Sequence, residues 1–236
     1  MPVQHEIRPN HLRPATDLAE RVLLPGDPAQ ALAVAQALLD APPKMFNHAR
    51  GLWGYTGIAA DGEPLTVQAT GMGGPSAAIV CEELIALGAT RLVRIGTCAA
   101  LDPELEPGAL LAAEWVLPAD GTSTALGADA PLVPAAALLE RLVAAGAQRA
   151  TIASSDLFYD PRAGAAPRWA ERGALAVEME AATVLQVAAR RGVAAACVLA
   201  VSDLPGSNGA ARMSPEELSE LCVRLGAAGY AAVRNP

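Results

Sequence analysis

The chain has 236 residues, 52% of them hydrophobic but only 3% aromatic, and a formal net charge of −8. That length suits one domain whose core is built from Ala, Val and Leu. The acidic balance, with no basic block, excludes a nucleic-acid footprint, which needs clustered Lys and Arg.

Further classes fall away on composition. No apolar run reaches the roughly 18 residues of a membrane span without Gly, Pro or a charge, and "MPVQHEIRPNHLRP" lacks the apolar stretch of a signal peptide. Cys81, Cys98, Cys197 and Cys222 are scattered, with no C-x-x-C. That pattern fits reduced thiols of a cytoplasmic protein better than disulfides or a zinc site. Of 17 Lys and Arg residues only Lys44 is lysine. There is no G-x-x-x-x-G-K-[ST] phosphate loop, and a Schiff base would have to rest on Lys44. His5, His11 and His48 all lie before residue 50, H-E-x-x-H is absent, and no G-x-S-x-G supports a Ser-His-Asp triad.

Strands and helices alternate along the chain. "RVLLPG" reads as a short buried strand and turn, "DPAQALAVAQALLDA" as a helix closed by Pro42-Pro43. "LWGYTGIAA" and "PLTVQAT" form a hairpin around Asp61-Gly62. "PSAAIVCEELIALG" is a helix with Pro75 in its first turn and Gly88 as its stop. "RLVRIGT" and "ALLAAEWVLP" are strands, and residues 119–131 between elements read as a long surface loop. "PAAALLERLVAAG" is a helix, "QRATIAS" a strand, "AATVLQVAARRG" a helix stopped by Gly192, and "VAAACVLAVS" a buried strand. The last helix opens with a capping box, Ser214 with Glu217 around Pro215. The order predicts an α/β protein: a single domain over residues 1–236, with a mixed, mostly parallel central sheet flanked by helices in three layers.

In open α/β sheets ligands sit beyond the carboxyl ends of the strands. The residues there are Pro25-Gly26-Asp27, Gly71-Met72-Gly73-Gly74-Pro75-Ser76, Gly96-Thr97-Cys98, Ser155-Asp156-Leu157-Phe158-Tyr159 and Ser202-Asp203. Their small and acidic character predicts that they converge on one edge as the site. The 71–76 glycines lead into a helix N-terminus, where free N–H groups suit a phosphate or a sugar hydroxyl, although tight strand–helix turns often need glycine anyway. Arg94, inside "LVRIGT", must meet an anion or a carboxylate, because an unpaired buried charge is too costly. Arg50, in "NHARGLWGY", is less constrained. Asp203 ends an apolar run, where a carboxylic acid can hand a proton to a leaving group or simply cap the next turn.

In "ALAVEMEAATVL", Glu178 and Glu180 project to one side of an extended chain, with Val177 and Met179 on the other. Acids also favour the start of the following helix, which accounts for one of them. Two in alternation inside an apolar run point to a carboxylate gripping adjacent sugar hydroxyls, since it is acceptor-only and reaches two donors.

"VLLPGDP", "NHARGLWGYTG", "GMGGPSAAI", "VRIGTCAAL", "SSDLFY", "VEMEAA" and "VSD" follow one another over residues 11–203 as in the bacterial purine nucleoside phosphorylases, the homohexameric branch of nucleoside phosphorylase family I, which this chain resembles. The resemblance implies cleavage of purine (deoxy)ribonucleosides by orthophosphate to free base and (deoxy)ribose 1-phosphate. Phosphate is the co-substrate and there is no metal or organic cofactor. By the same resemblance phosphate lies on Gly26, Arg94 and Thr97, at the position of Gln30, and on Arg50 from a neighbouring subunit. Ribose is held by Glu180 and Met179, with Glu178 in support, and by a neighbour's histidine, for which His11 fits the family spacing better than His5. Phe158 and Val177 stack on the base, beside Ser202, and Asp203 protonates purine N7. The implied assembly is a homohexamer, a trimer of dimers, with no membrane or nucleic-acid partner.

The chain departs from the family's pattern in places. Gln30 stands where many relatives carry a phosphate-binding arginine. The arginine that supports the aspartate is not at its usual spacing, Arg212 being the nearest candidate, and Ala99 replaces a frequent glycine. Uridine phosphorylase fits less well, because "FYDPRAGAA" has Arg162 but no Gln-x-Arg and because Asp203 is present. Methylthioadenosine-type nucleosidases, which use water, lack the arginines present here as Arg50 and Arg94, but the Gln30 change makes such a nucleosidase the runner-up reading. A non-catalytic nucleoside-binding protein has no need of Asp203.

Overall fold

The computed structural model describes residues 7–162, 164–204 and 213–235, with the side chain of Pro215 excepted. His5 and Arg212, raised by the sequence, lie outside the described residues.

Strand β1 (Arg21–Leu24) leads through Gly26 into α1 (Pro28–Leu38). Asp27 caps α1 by accepting the N–H groups of Ala29 and Gln30. Next come β2 (Lys44–Asn47), a 3₁₀ turn at Ala49–Gly51, and the expected hairpin of β3 (Gly54–Ile58) and β4 (Pro64–Gln68). Helix α2 (Gly74–Ala86) starts at the glycine loop and precedes β5 (Arg91–Ala100) and β6 (Leu110–Ala119). Then follow α3 (Gly121–Ala125), α4 (Ala136–Ala144), β7 (Gln148–Ser155), α5 (Ala165–Glu171), β8 (Ala174–Glu178), α6 (Ala181–Arg191), β9 (Ala194–Asp203) and α7 (Pro215–Val233). The Ser214–Glu217 capping box is present, and Gly192 ends α6 in the left-handed conformation.

The strands form one mixed sheet in the order β2-β3-β4-β1-β5-β8-β7-β6-β9, and β9 pairs back onto β5. Half of the sheet therefore closes into a ring, β5-β8-β7-β6-β9. Alternation along the strands splits the core between the faces. Val22, Leu24 and Leu92 pack with Val80 and Leu84 of α2 and with Val184 and Val187 of α6. Leu23, Val93 and Ile95 pack with Val34 of α1, Leu142 of α4 and Leu221 of α7. Arg94, between Val93 and Ile95, thus falls on the α2/α6 side.

One expectation is corrected. Residues 119–131 are not a plain surface loop: α3 forms there, and Asp120 is buried, accepting hydrogen bonds from Ser123 and from the Thr183 hydroxyl. A capping aspartate within a Gly/Thr-rich stretch carries no apolar periodicity to announce it. Of the strands whose ends were expected to line the site, β1, β4, β5 and β9 are parallel to one another, while the strand not foreseen, β8, runs antiparallel to β5. The reversal is what carries Glu178 back along β5 toward Arg94.

Away from that region, Arg21 is buried and forms a two-pronged ion pair with Asp61. It also donates to the carbonyls of Pro64 and Glu63, both at 2.7 Å. The Tyr230 hydroxyl accepts the Asp61 N–H at 2.9 Å, which ties the hairpin turn to the end of α7.

Candidate active site

Arg94 anchors the site. It is 4% exposed, its Nη2 donates to Glu180 Oε2, and its Nε lies 3.5 Å from Glu178 Oε2. The guanidinium folds over Gly96, where a Cβ would sit 2.7 Å from it, so a side chain there would have to push Arg94 off its place. A Cβ on Gly26, in the β1–α1 turn, would lie 3.5 Å from Arg94 Nη1. The β1–α1 turn therefore runs close beside Arg94 Nη1.

The two glutamates divide their work. Glu178 is buried and saturated with donors: the Ser154 hydroxyl at 2.5 Å, the N–H groups of Glu180 and Ala181 at 2.8 Å each, and Arg94. It satisfies the free N–H groups at the start of α6 while holding the arginine. Glu180 stands at the N-cap of α6 and accepts the N–H of Gly73 at 2.5 Å through Oε1. Gly73 has φ +86°, a conformation that glycine alone adopts freely. Helix α2, helix α6 and strand β5 therefore meet at one carboxylate. Burial raises the Glu180 pKa above the ordinary carboxylate value, Arg94 opposes this, and the nearby Glu178 charge adds to it. For Arg94, burial works against the charge, but Glu180 and Glu178 outweigh it and the guanidinium is held protonated.

Around this cluster, register sets the remaining residues. Ala99 of β5 lies between Val177 of β8 and Asp203 of β9, next to a bulge at Cys98/Ala99. Ser202 is buried, and its hydroxyl donates to Asp203 Oδ2 at 2.7 Å. Thr97, half-buried, faces Ala200. Met179 is half-buried between the two glutamates. Phe158 is 59% exposed and meets Tyr159 edge-on at 4.9 Å.

Gln30, His11 and Arg50 make no hydrogen bond or ion pair to the Arg94 cluster among the described residues. Gln30 lies in the first turn of α1, its N–H on Asp27. His11 Nδ1 is 2.6 Å from Glu83 of α2. Glu83 also accepts the backbone N–H groups of His11 and Leu12, and these bonds hold its pKa below the ordinary value although burial pushes the other way. Arg50 is exposed on its turn.

Sequence reasoning missed Ser154, Glu83 and Asn47. Ser154 and Glu83 are polar residues in largely apolar segments, the same signal that singled out Arg94, whereas Asn47, within "KMFNHARG", carries no such signal. Among the described residues no group of three or more His, Cys, Asp or Glu could hold a metal ion. No described helix is long and apolar enough to cross a membrane. A cavity of about 660 Å³ opens elsewhere, by Leu110, Gln148 and Arg224. It offers no acid or nucleophile among its lining residues, so the cluster of charged groups at Arg94, not this cavity, marks the site.

The fold and this cluster define a nucleoside-phosphorylase-like α/β protein. Residues 20–234 match the model of the phosphorylase superfamily, and the chain belongs to that family. Among its relatives, the purine nucleoside phosphorylase DeoD-type of Geobacillus kaustophilus is 34% identical over 233 residues, 93% of this chain and 95% of that protein. The DeoD-type enzymes of Caldanaerobacter subterraneus subsp. tengcongensis and Jannaschia sp. are 36% and 37% identical. Each match covers 79% of this chain and 84% or 83% of the relative. The crystal structure of uridine phosphorylase from Vibrio fischeri, complexed with 6-hydroxy-1-naphthoic acid, superposes with a TM-score of 0.79 at 23% identity. It covers 91% of this chain and 90% of its own, and shows the shared fold.

Proposed function

We propose that the protein is a purine nucleoside phosphorylase, acting as one domain over residues 1–236. The observation that carries the reading is the buried Arg94 held against Glu180, with Gly26 beside it and Asp203 at the end of β9. Glu178 and Glu180 take the Nε and Nη2 sides of Arg94, while Nη1, which donates weakly to the Ile95 carbonyl at 3.4 Å, lies by Gly26 and can meet an anion. The carboxylate of Glu180 beside it can bind sugar hydroxyls.

In this reading phosphate lies on Arg94, Gly26 and Thr97, near Gln30. Glu180 and Met179 hold the ribose, and Glu178 fixes Arg94 and the start of α6. The base lies against Phe158 and Val177. A phosphate oxygen bonds to C1′ as the C1′–N9 bond breaks and its electron pair moves into the purine. Asp203, held by Ser202, delivers a proton to N7, so a neutral base leaves with ribose 1-phosphate. Positioning and charge stabilisation carry the rate. Nothing in the scheme needs a metal or an organic cofactor.

His11 and Arg50 complete the site of a neighbouring subunit in a homohexamer, which suits their separation from the cluster in their own chain. The enzyme would serve purine salvage in the cytoplasm.

The test uses Asp203→Asn on two substrates. The variant should lose adenosine cleavage by at least about 100-fold, in line with general-acid contributions. It should keep cleavage of 7-methylinosine, whose N7 already bears the positive charge. Equal loss on both substrates would remove Asp203 from the role of proton donor.

A further inference from the structure

The turn that carries Arg50 has an unusual backbone. Arg50 sits at φ +58°, ψ +18°, the one non-glycine residue with positive φ among the described residues. Such a conformation persists where the surroundings over-determine it, and such residues cluster at functional sites. The Arg50 side chain is exposed and makes no hydrogen bond or ion pair among the described residues, so its own contacts do not impose the conformation.

The restraint comes from Asn47, which is fully buried. Its Nδ2 donates to the Leu52 carbonyl at 2.5 Å and, more weakly, to the Ala49 carbonyl at 3.4 Å. Its Oδ1 accepts the Ala49 N–H at 3.3 Å. One side chain thus grips the residue before Arg50 and the residue two beyond it. Gln68, also buried, donates to the same Leu52 carbonyl at 2.9 Å. Asn47 Oδ1 has a second partner, the N–H of Arg13 at 2.9 Å, two residues past His11. A backbone bond from the Ala15 N–H to the Phe46 carbonyl, at 2.8 Å, runs alongside. At its other end this segment is fixed by Glu83, through the His11 ring and the N–H groups of His11 and Leu12.

We propose that Asn47 is a positioning residue that presents Arg50 and the His11 segment to the neighbouring active site as one preformed unit. The proposal rests on the reading of Arg50 as a phosphate ligand across the subunit boundary. Only a side-chain amide both donates and accepts in the places required. Fixing the turn before phosphate arrives removes the ordering that binding would otherwise demand.

A double-mutant cycle with inosine and phosphate tests it: Asn47→Ala, Arg50→Ala and the pair, with kcat and the KM for phosphate determined separately. Arg50→Ala should raise the phosphate KM. Asn47→Ala should raise it by roughly 10- to 100-fold, the scale of an ångström's misplacement, and should add nothing in the Arg50→Ala background. An Asn47→Ala effect of equal size in both backgrounds would mark a merely structural amide and overturn the proposal. So would an unchanged phosphate KM in Asn47→Ala while Arg50→Ala raises it, and in that case the reading of Arg50 stands. An unchanged KM in Arg50→Ala would overturn that reading and the proposal with it. Should Asn47→Ala fail to fold, Asn47→Asp runs through the same cycle: it keeps the acceptor bonds and loses the donor bonds to Leu52 and Ala49.

Discussion

Replacing Glu180 by Gln separates stability from function. Two carboxylates share the buried guanidinium of Arg94, which leaves the cluster with a surplus negative charge. The folded-state pKa of Glu180 is raised by burial, with Arg94 opposing. The folded protein therefore takes up this proton more readily than the unfolded chain does. The ionised group lowers stability as pH rises above its unfolded value of about 4.3. Glutamine removes that penalty, and Glu178 stays to balance Arg94. The new NH₂ must, however, face either the Gly73 N–H or Arg94 Nη2 in the free protein. The two effects offset, and the melting temperature should stay within about 1 kcal/mol of the parent, or roughly 2–4 °C for a chain of this size. Activity should behave differently. Glutamine keeps one acceptor oxygen and turns an NH₂ toward groups that are themselves donors. Hydrogen bonds to a charged group contribute about 1.5–3 kcal/mol, so kcat/KM for inosine should fall roughly 100-fold. A deoxyribonucleoside, with one hydroxyl fewer to lose, should fall nearer tenfold. Thermal melts and steady-state kinetics on both substrates read this out. A melting temperature lowered by about 8 °C or more, or equal losses on the two nucleosides, would mean that Glu180 serves only to hold Arg94 and Gly73 and would refute the reasoning.

Other expectations follow from the same geometry. Asp61→Asn leaves the buried Arg21 with carbonyl acceptors alone. Its cost should be about 2 kcal/mol, below the 3–5 of a fully buried broken pair, and calorimetry should show a drop of roughly 4–8 °C. The hydrogen bond from Arg21 holds the Asp61 carboxyl well below the ordinary range. Its stabilisation is therefore complete above about pH 4 and fades as pH falls further. The Asn variant should show a flatter acid limb, and an unchanged limb would count against the pair. Gln30→Arg supplies a cation in the first turn of α1 near Gly26 and should lower the phosphate KM several-fold, up to about tenfold for a charge-assisted bond of ~1.4 kcal/mol. No change would place Gln30 away from phosphate.

The elements legible in the sequence were those with strong local signals: the Asp61-Gly62 hairpin, the Ser214–Glu217 capping box, and the apolar strands β1, β5 and β9. Arg94 was legible because a charge inside a buried strand must have a partner, and it has two. Strand β2, with two exposed and two buried residues, and the short helices α3 and α5 lack a period long enough to read. The antiparallel entry of β8 and the closure of β9 onto β5 are long-range pairings that no local pattern encodes. The division of labour between Glu178 and Glu180 depends on which of them faces the α6 N–H groups. That follows from where the strand stops and the helix begins, a boundary that alternation alone does not fix.

In the proposed reaction phosphate, drawn to Arg94, is the nucleophile in a purine nucleoside cleavage. Initial rates of base release from adenosine and inosine, against phosphate concentration from zero upward, test it most directly. The expected result is a saturable curve through the origin, with ribose 1-phosphate as the sugar product. A finite rate at zero phosphate, with free ribose released, would contradict it and make the enzyme a hydrolase.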